Sequence, residues 1–514
     1  MIKKVAYFSL LFVLVLMFVG GDKPKEGGTV KIGIPAGVET LAPWDYSYGV
    51  RSKIMGNIYE RLIATDWDAS KLTPGLAVDW EVDEEKRIFT FRLREGIRFH
   101  NGEMLTADDV IASAEYFPGD IKFKTEKVDR MRVRFNVDRP ASTFLFYLAQ
   151  AESSIGVSSS LEEYMALRKS GTTYRFRPMG SGPFKFESWR RDKELVLAAN
   201  KDYWGGRPYL SRLVYRVIPD HEEMIAAVEK GEIDLIDLVY PEDLARLKKN
   251  RDLVIRSTYG LTLCYLGINN SKPPFSDLRV RRAIELSLDK LTLTKKFFYG
   301  GYGIPTNRPV SPAFFGFPTF PKVSRYDPKE ARKLLSEAGY PEGFSAKLLT
   351  QPFARPYLPD PRGCAEEVKK QLALVGIDVE ILVPSDMKEY FAMEEDEQVF
   401  DLSLAGWFTA GADPDFMLTP LLGGSLLQGA GVKNRVRWDN RAFDEKILAA
   451  RGLSLSDSWR RIKLYNEAIE IFNEELPFIP LFHTKMFLVF NKRVKGMKPT
   501  PSGGAFFVKA WIEE

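Results

Sequence analysis

The 514-residue sequence predicts an α/β protein with mixed sheets, and three observations carry that expectation. From Asp327 to Ile381 helical and strand periodicities alternate, the pattern of helices laid on a partly parallel sheet. From Ile88 to Gly102 a two-residue alternation and an Asn-Gly turn signal mark an antiparallel block. The length exceeds what one hydrophobic core sustains, so two or three domains are expected.

Composition narrows the function classes. Hydrophobic residues make up 45% of the chain and aromatics 13%, enough to build several cores and to exclude a disordered or fibrous chain. The formal charge is +4, and Lys3 and Lys4 supply half of it. With no clustered basic stripe, this is no footprint for nucleic acid.

The elements follow in order. Lys3-Lys4, an apolar run from Val5 to Val19 and Gly20-Gly21 have the form of a secretory signal, placed at residues 1–21. The run falls short of the ~20 apolar residues of a spanning helix, so an exported chain, periplasmic or extracytoplasmic and soluble after cleavage, is expected. Gly21 stands where a lipid-modified cysteine would be needed. Gly27–Ile34 reads as a strand. Ile54, Ile58 and Leu62 recur near helical spacing. In the strand over 88–93, Phe89, Phe91 and Leu93 share one face, and Glu95-Gly96 turns the chain. Thr106-Ala-Asp-Asp109 is a helix start with a capping hydroxyl and early acids.

Further on, Asp277–Asp289 reads as a helix with Val280, Ala283, Ile284 and Leu288 inward and Arg279, Arg281 and Arg282 on a solvated face. Asp327-Pro328 opens another, with Ala331, Leu334, Leu335 and Ala338 inward and Gly339 ending it. Val368, Leu372 and Val375 repeat the pattern before the strand Ile377/Val379/Ile381. Phe400, Leu402 and Leu404 alternate in a strand that breaks at Gly406 into a loop carrying Trp407, Asp413 and Asp415. The two cysteines, Cys264 and Cys364, are read either as a pair or as two separate buried thiols.

The ordered motifs LTPGLAVDW, FTFRLREGIRFHNGEMLTADDV, GSGPFKFESW, NKDYWGGRPYL, GEIDLID, INNSKPPFSDLRVRRAIELSLDK, YDPKEARKLLSEAGYPEGF, VKKQLALVGIDVEI, FDLSLAGW and ELPFIPLFH resemble those of the family 5 extracellular solute-binding proteins, the dipeptide, oligopeptide and nickel receptors of ABC importers. The resemblance covers nearly the whole chain after the leader. It implies a bilobal periplasmic-binding-protein-like fold, with lobe one assembled from 22–57, 180–262 and 485–514. An inserted domain at 58–179, lobe two at 263–484, and a hinge of two chain crossings near Leu263–Asn269 and Phe482–Phe490 complete the expected division.

No motif for catalysis or metal binding stands out. His100, His221 and His483 form no ligand spacing, and no nucleophile elbow, Walker loop or dinucleotide fingerprint is present. Ser181, in Gly180-Ser-Gly182-Pro183, precedes a strand and reads as a backbone-positioning residue. No cofactor, no metal and no enzymatic activity are expected.

For ligand binding, the expectation rests on two loops. The Pro-framed Gln351–Pro359 loop resembles the Arg-Pro-Tyr-x-Pro segment of the dipeptide-binding branch, which implies that Arg355 grips a ligand carboxylate, with Tyr357 beside it and Arg362 as the fallback. Trp407 is the expected aromatic platform. The peptide-binding branches place an amine-accepting aspartate three residues after the loop tryptophan, where this chain has Ala410. Asp413 or Asp415 is the possible substitute, against a reading in which both mark a helix entry before Phe416–Leu422. Trp44 is a further stacking candidate. The expected protein is a monomer that carries a small-molecule or peptide ligand to ABC permease subunits. A receptor for an oligosaccharide or other non-peptide solute, and a secreted hydrolase or chaperone on the same scaffold, are the alternatives.

Overall fold

The computed structural model describes residues 24–513, apart from 46–48, 67–70, 84–86, 118–120, 139–143, 151–152, 320–321, 397, 410, 429–431 and 454–456. The leader at 1–21 and Ala410 therefore lie outside the described residues. Among the described residues no helix is long and apolar enough to cross a membrane.

Strand β1 (Thr29–Ile34) buries Val30 and Ile32 as the sequence pattern requires. Helix α1 (Val50–Ile58) is shorter than its apolar spacing suggested, because Tyr59 is extended and the Ile58 carbonyl is taken by the Gly182 amide. Leu62 belongs instead to the next core. That core lies on a separate antiparallel sheet of β2 (Ala77–Asp83), β3 (Ile88–Leu93), β4 (Phe123–Asp129) and β5 (Arg132–Val137), in the order β2-β3-β5-β4. Phe89, Phe91 and Leu93 point into it with Phe135, Phe144 and Ile155. Helix α2 (Ala107–Ala114) packs there too. Its predicted start holds, with the Thr106 amide donating to Asp109 Oδ2 at 2.9 Å.

The segment after this sheet is sewn to α1. The His100 amide donates to the Gly180 carbonyl at 2.8 Å. Ser181 Oγ, Tyr203 Oη and Trp204 Nε1 all donate to Glu60 at 2.8–3.0 Å. Burial holds the Glu60 carboxyl above its usual range even so. Ser181 is thus a donor to a buried acid.

The chain then builds β6 (Phe184–Arg190), β7 (Glu194–Ala199), β8 (Arg212–Val217), helix α3 (His221–Glu229), β9 (Leu235–Ile236), β10 (Leu253–Tyr259) and β11 (Thr262–Ile268). Helix α4 (Leu278–Leu286), β12 (Gly303–Pro305), α5 (Pro328–Glu337), β13 (Phe344–Thr350), α6 (Pro361–Ala373), β14 (Ile377–Leu382) and β15 (Leu402–Phe408) follow. Three helices, α7 (Asp415–Leu422), α8 (Arg441–Arg451) and α9 (Ser458–Glu475), precede the long strand β16 (Phe478–Asn491). Ten of these strands run in the order β14-β13-β15-β11-β16-β9-β1-β8-β7-β6, with β10 and β12 also on β16. Parallel pairs (β13 with β14, β1 with β8) sit beside antiparallel ones, the mixed sheet expected.

Strand β16 joins the two halves. Its first residues pair with β11, from Phe478 opposite Gly267 to Phe482 opposite Cys264. Its last pair with β10, from Lys485 opposite Tyr259 to Asn491 opposite Leu253. Between them β10 passes into β11 at Gly260-Leu261. There the Gly260 amide donates to the Thr484 carbonyl and the Thr484 amide to Thr262 Oγ1, both at 3.0 Å. Two strands therefore cross from one half to the other side by side. His483 lies buried at this crossing, its ring nitrogens 2.6 Å and 2.9 Å from the Thr262 and Arg308 carbonyls.

Several expectations need correction. Arg281 is not on a solvated face: it is 4% exposed and donates to the Glu475, Phe275 and Ser276 carbonyls. The end of α9 leaves carbonyls without intrahelical donors, and a guanidinium meets that need. Helix α6 opens at Pro361, capped by Asp360. The strand over 402–408 runs through Gly406, because β11 pairs with it as far as Thr262 opposite Phe408. Phe400 precedes that strand and packs with Leu349 and Tyr390. Cys264 and Cys364 are both buried and free, in one core.

Candidate functional site

The candidate site lies where β15 ends, beside the Gln351–Pro359 loop. Gly406 is the reason the two can meet. A Cβ there would fall 2.1 Å from the Tyr357 ring and 2.7 Å from the Leu263 carbonyl, so only glycine lets the phenol lie across the strand. Gln351 Nε2 donates to Tyr357 Oη at 3.2 Å. The loop itself is stiff: the Arg355 and Leu358 amides each donate to the other's carbonyl at 2.9 Å, and Tyr302 Oη donates to the Pro356 carbonyl at 2.9 Å.

Arg355 projects from this loop with its guanidinium 5.0 Å from the Phe353 ring. Its Nε is buried and has no hydrogen-bond partner among the described residues, and the same holds for Gln351 Oε1. Buried donors and acceptors are normally paired, and these two are among nine buried side-chain atoms without a partner among the described residues. The charge of Arg355 is felt across the interface between the two halves. Burial raises the Tyr240 phenol, and Arg355 acts against that rise. Tyr240 stands just after β9, its ring 4.9 Å from that of His221. Gln351 opens the loop that the sequence singles out, whereas no motif marks Tyr240.

Trp407 is half-buried against the Leu263, Phe314 and Met417 core. Its Nε1 donates to the Phe416 carbonyl at 3.1 Å, which fixes the indole plane relative to α7. Phe408 and Phe353 are 39% and 49% exposed on the neighbouring backbone. Apolar ring surface beside an unsatisfied guanidinium suits an amphipathic solute.

The remaining predicted residues go elsewhere. Asp413 is fully buried; it accepts from Arg461 Nη2 at 2.8 Å and from Tyr465 Oη at 3.1 Å. Asp415 accepts from Arg451 Nε at 2.9 Å and from Thr419 Oγ1. Both acids are thus committed to internal cations; α7 begins at Asp415, with no side chain capping it. Trp44 is 3% exposed in a cluster with Tyr164 and Phe176, ring centroids 5.3 Å and 5.7 Å away. It packs; it does not offer a face. Arg362 sits in the first turn of α6. Among the described residues no group of three His, Cys, Asp or Glu side chains could hold a metal ion. A shallow depression bounded by Val254, Arg256, Phe490 and Lys492 lies at the far end of β16 and contains none of these residues.

A mixed α/β sheet in two halves, joined by paired crossings and carrying a separately cored domain, defines a bilobal binding protein. Residues 71–426 match the family model for bacterial extracellular solute-binding proteins, family 5. The chain belongs to that family, and its function is solute binding for an ABC importer. It is 30% identical to the dipeptide-binding protein of Escherichia coli strain K12 over 487 residues, 89% of each chain. It is also 30% identical to heme-binding protein A of Haemophilus influenzae over 486 residues, 89% of this chain and 86% of that one. The structure of HbpA2 from Haemophilus parasuis superposes with a TM-score of 0.84 at 29% identity, covering 95% of this chain and all of that one.

Proposed function

We propose that this protein captures a small peptide or a related organic anion between its two halves and hands it to a membrane permease. The observation that carries the reading is Arg355, whose buried Nε has no partner among the described residues. A carboxylate can take two parallel hydrogen bonds from a guanidinium, and a desolvated site strengthens both. Gln351 Oε1 would accept from an amide or amine of the same ligand, and Trp407 and Phe408 would bound its apolar part. The dipeptide-binding relative supports this assignment.

The pairing pattern supports a division close to that read from the motifs: 22–57, 180–262 and 485–514 in one lobe, 58–179 inserted, 263–484 in the other. Gly260-Leu261 and His483-Thr484 are the hinge in this reading. Residues 1–21 would direct export and be removed. The protein binds without transforming its ligand. A second reading, a larger planar solute with acidic groups, is favoured by the exposed Phe353 and Phe408 rings and by the heme-binding relative.

Native mass spectrometry of gently purified protein tests the proposal. A bound mass released intact on denaturation, carrying a carboxylate, supports it. A bound solute without an anionic group, or a ligand recovered as cleavage products, overturns it.

A further inference from the structure

We propose that Phe416 is a closing latch, which seats on the core of the inserted domain and biases the protein toward its closed form. The ring projects from the first turn of α7, whose Met417, Leu418, Leu421 and Leu422 anchor in the core of the 263–484 half. Phe416 itself packs against the separate core of the four-stranded sheet. That second core is tied to the opposite half through the His100–Gly180 bond and through Ser181, Tyr203 and Trp204, which donate to Glu60. The phenyl ring therefore spans two bodies that part when the cleft opens.

A second contact accompanies it. Phe146, beside the same core, lies 6.3 Å from Phe315, and the Phe315 amide donates to the Ala412 carbonyl at 2.9 Å. Gly411 provides the room: a Cβ there would come within 2.6 Å of the Phe416 ring and 2.8 Å of Gln150 Nε2.

The latch is rigidly mounted. Asp413 and Asp415, paired with Arg461 and Arg451, immediately precede Phe416, and the Asp415 amide donates to Asp413 Oδ1 at 3.0 Å. A buried ion pair is a poor source of net stability but a strict source of position. On this geometry the Asp-Pro-Asp segment serves to aim an aromatic ring across the cleft. The Trp407 hydrogen bond to the Phe416 carbonyl links the latch to the ligand platform; that link rests on the binding reading above.

The test uses the ligand-free full chain, so it is independent of what the ligand proves to be. Nitroxide labels at Lys124→Cys in the inserted domain and Ala449→Cys on α8 report the distance between the bodies; the native thiols are buried and do not label. The wild-type background is expected to show a short-distance population. In Phe416→Ala the closed-to-open ratio should fall about tenfold, the effect of losing much of one buried aromatic contact. Phe416→Leu should restore most of it, and Phe315→Ala should act in the same direction. Circular dichroism confirms that each variant is folded. A wild-type distribution without a short-distance population overturns the latch, as does an unchanged ratio in folded Phe416→Ala or, should that variant fail to fold, in folded Phe315→Ala.

Discussion

Arg461 Nη2 donates to Asp413 Oδ2 at 2.8 Å with both side chains out of solvent, Arg461 at 1% exposure and Asp413 at none. Tyr465 Oη takes the second carboxylate oxygen at 3.1 Å. Both carboxylate oxygens are thus bonded inside the protein, and the side chain is out of solvent.

Breaking this pair from one side leaves a buried charge without its partner. Asp413→Asn or Arg461→Met is expected to lower stability by about 3–5 kcal/mol, read from urea unfolding midpoints. The double variant Asp413→Asn/Arg461→Met should lose less than either single change. Additive losses would show that the two groups do not depend on each other.

Arg355 makes the opposite kind of contribution. Arg355→Ala removes a side chain whose Nε no group among the described residues satisfies, so thermal stability should change little. Affinity for the solute identified by mass spectrometry should fall by about 2–5 kcal/mol in calorimetric titration. Unchanged affinity would remove Arg355 from the site.

Gly406 tests the loop-to-strand contact. Gly406→Ala would push a methyl group into the Tyr357 ring, at a cost of about 1–3 kcal/mol in stability with a matching loss of ligand affinity. Gly406→Ala combined with Tyr357→Ala should cost less than the sum of the two single changes, because the ring that collides is gone while the Leu263 carbonyl still lies 2.7 Å from the added methyl.

His100 carries the pH dependence of the inserted domain's docking. Its Nε2 lies 3.0 Å from the Gly182 carbonyl while Nδ1 is buried with no partner. Burial pushes the imidazole down to about 4, the nearby Lys185 charge adding to the effect and the Gly182 bond opposing it. Between pH 6.5 and 4 the unfolded chain therefore binds a proton that the folded chain refuses. This group's contribution is full above pH 6.5 and lost as pH falls toward 4, by at most about 3 kcal/mol. Urea midpoints measured at pH 7.5 and 4.5 should converge more in His100→Asn than in the wild-type protein.

Much of the architecture was legible because it is local. The capping acids Asp327 and Asp109, the inward stripe of Ala331 and Leu335, and the alternation of Phe89, Phe91 and Leu93 depend on neighbours within a few residues. What the periodicities misjudged were places where a distant strand or helix end intervened. Gly406 did not break its strand because β11, more than a hundred residues earlier in the chain, supplies the ladder. Arg281 left its solvated face because the carbonyls closing α9 needed donors.

The sequence by itself determined a family of bilobal receptors, the helices and strands that make up the halves, and the two loops from which a ligand site could be built. Only the tertiary structure decided which of the charged and aromatic residues remain available. Trp44 is enclosed by Tyr164 and Phe176, Asp413 is matched by Arg461, and Arg355 alone among the predicted charged anchors keeps a buried nitrogen unmatched. The physical reason is that satisfaction of a buried polar group is a property of its partners, and these partners come from positions with no shared motif or spacing.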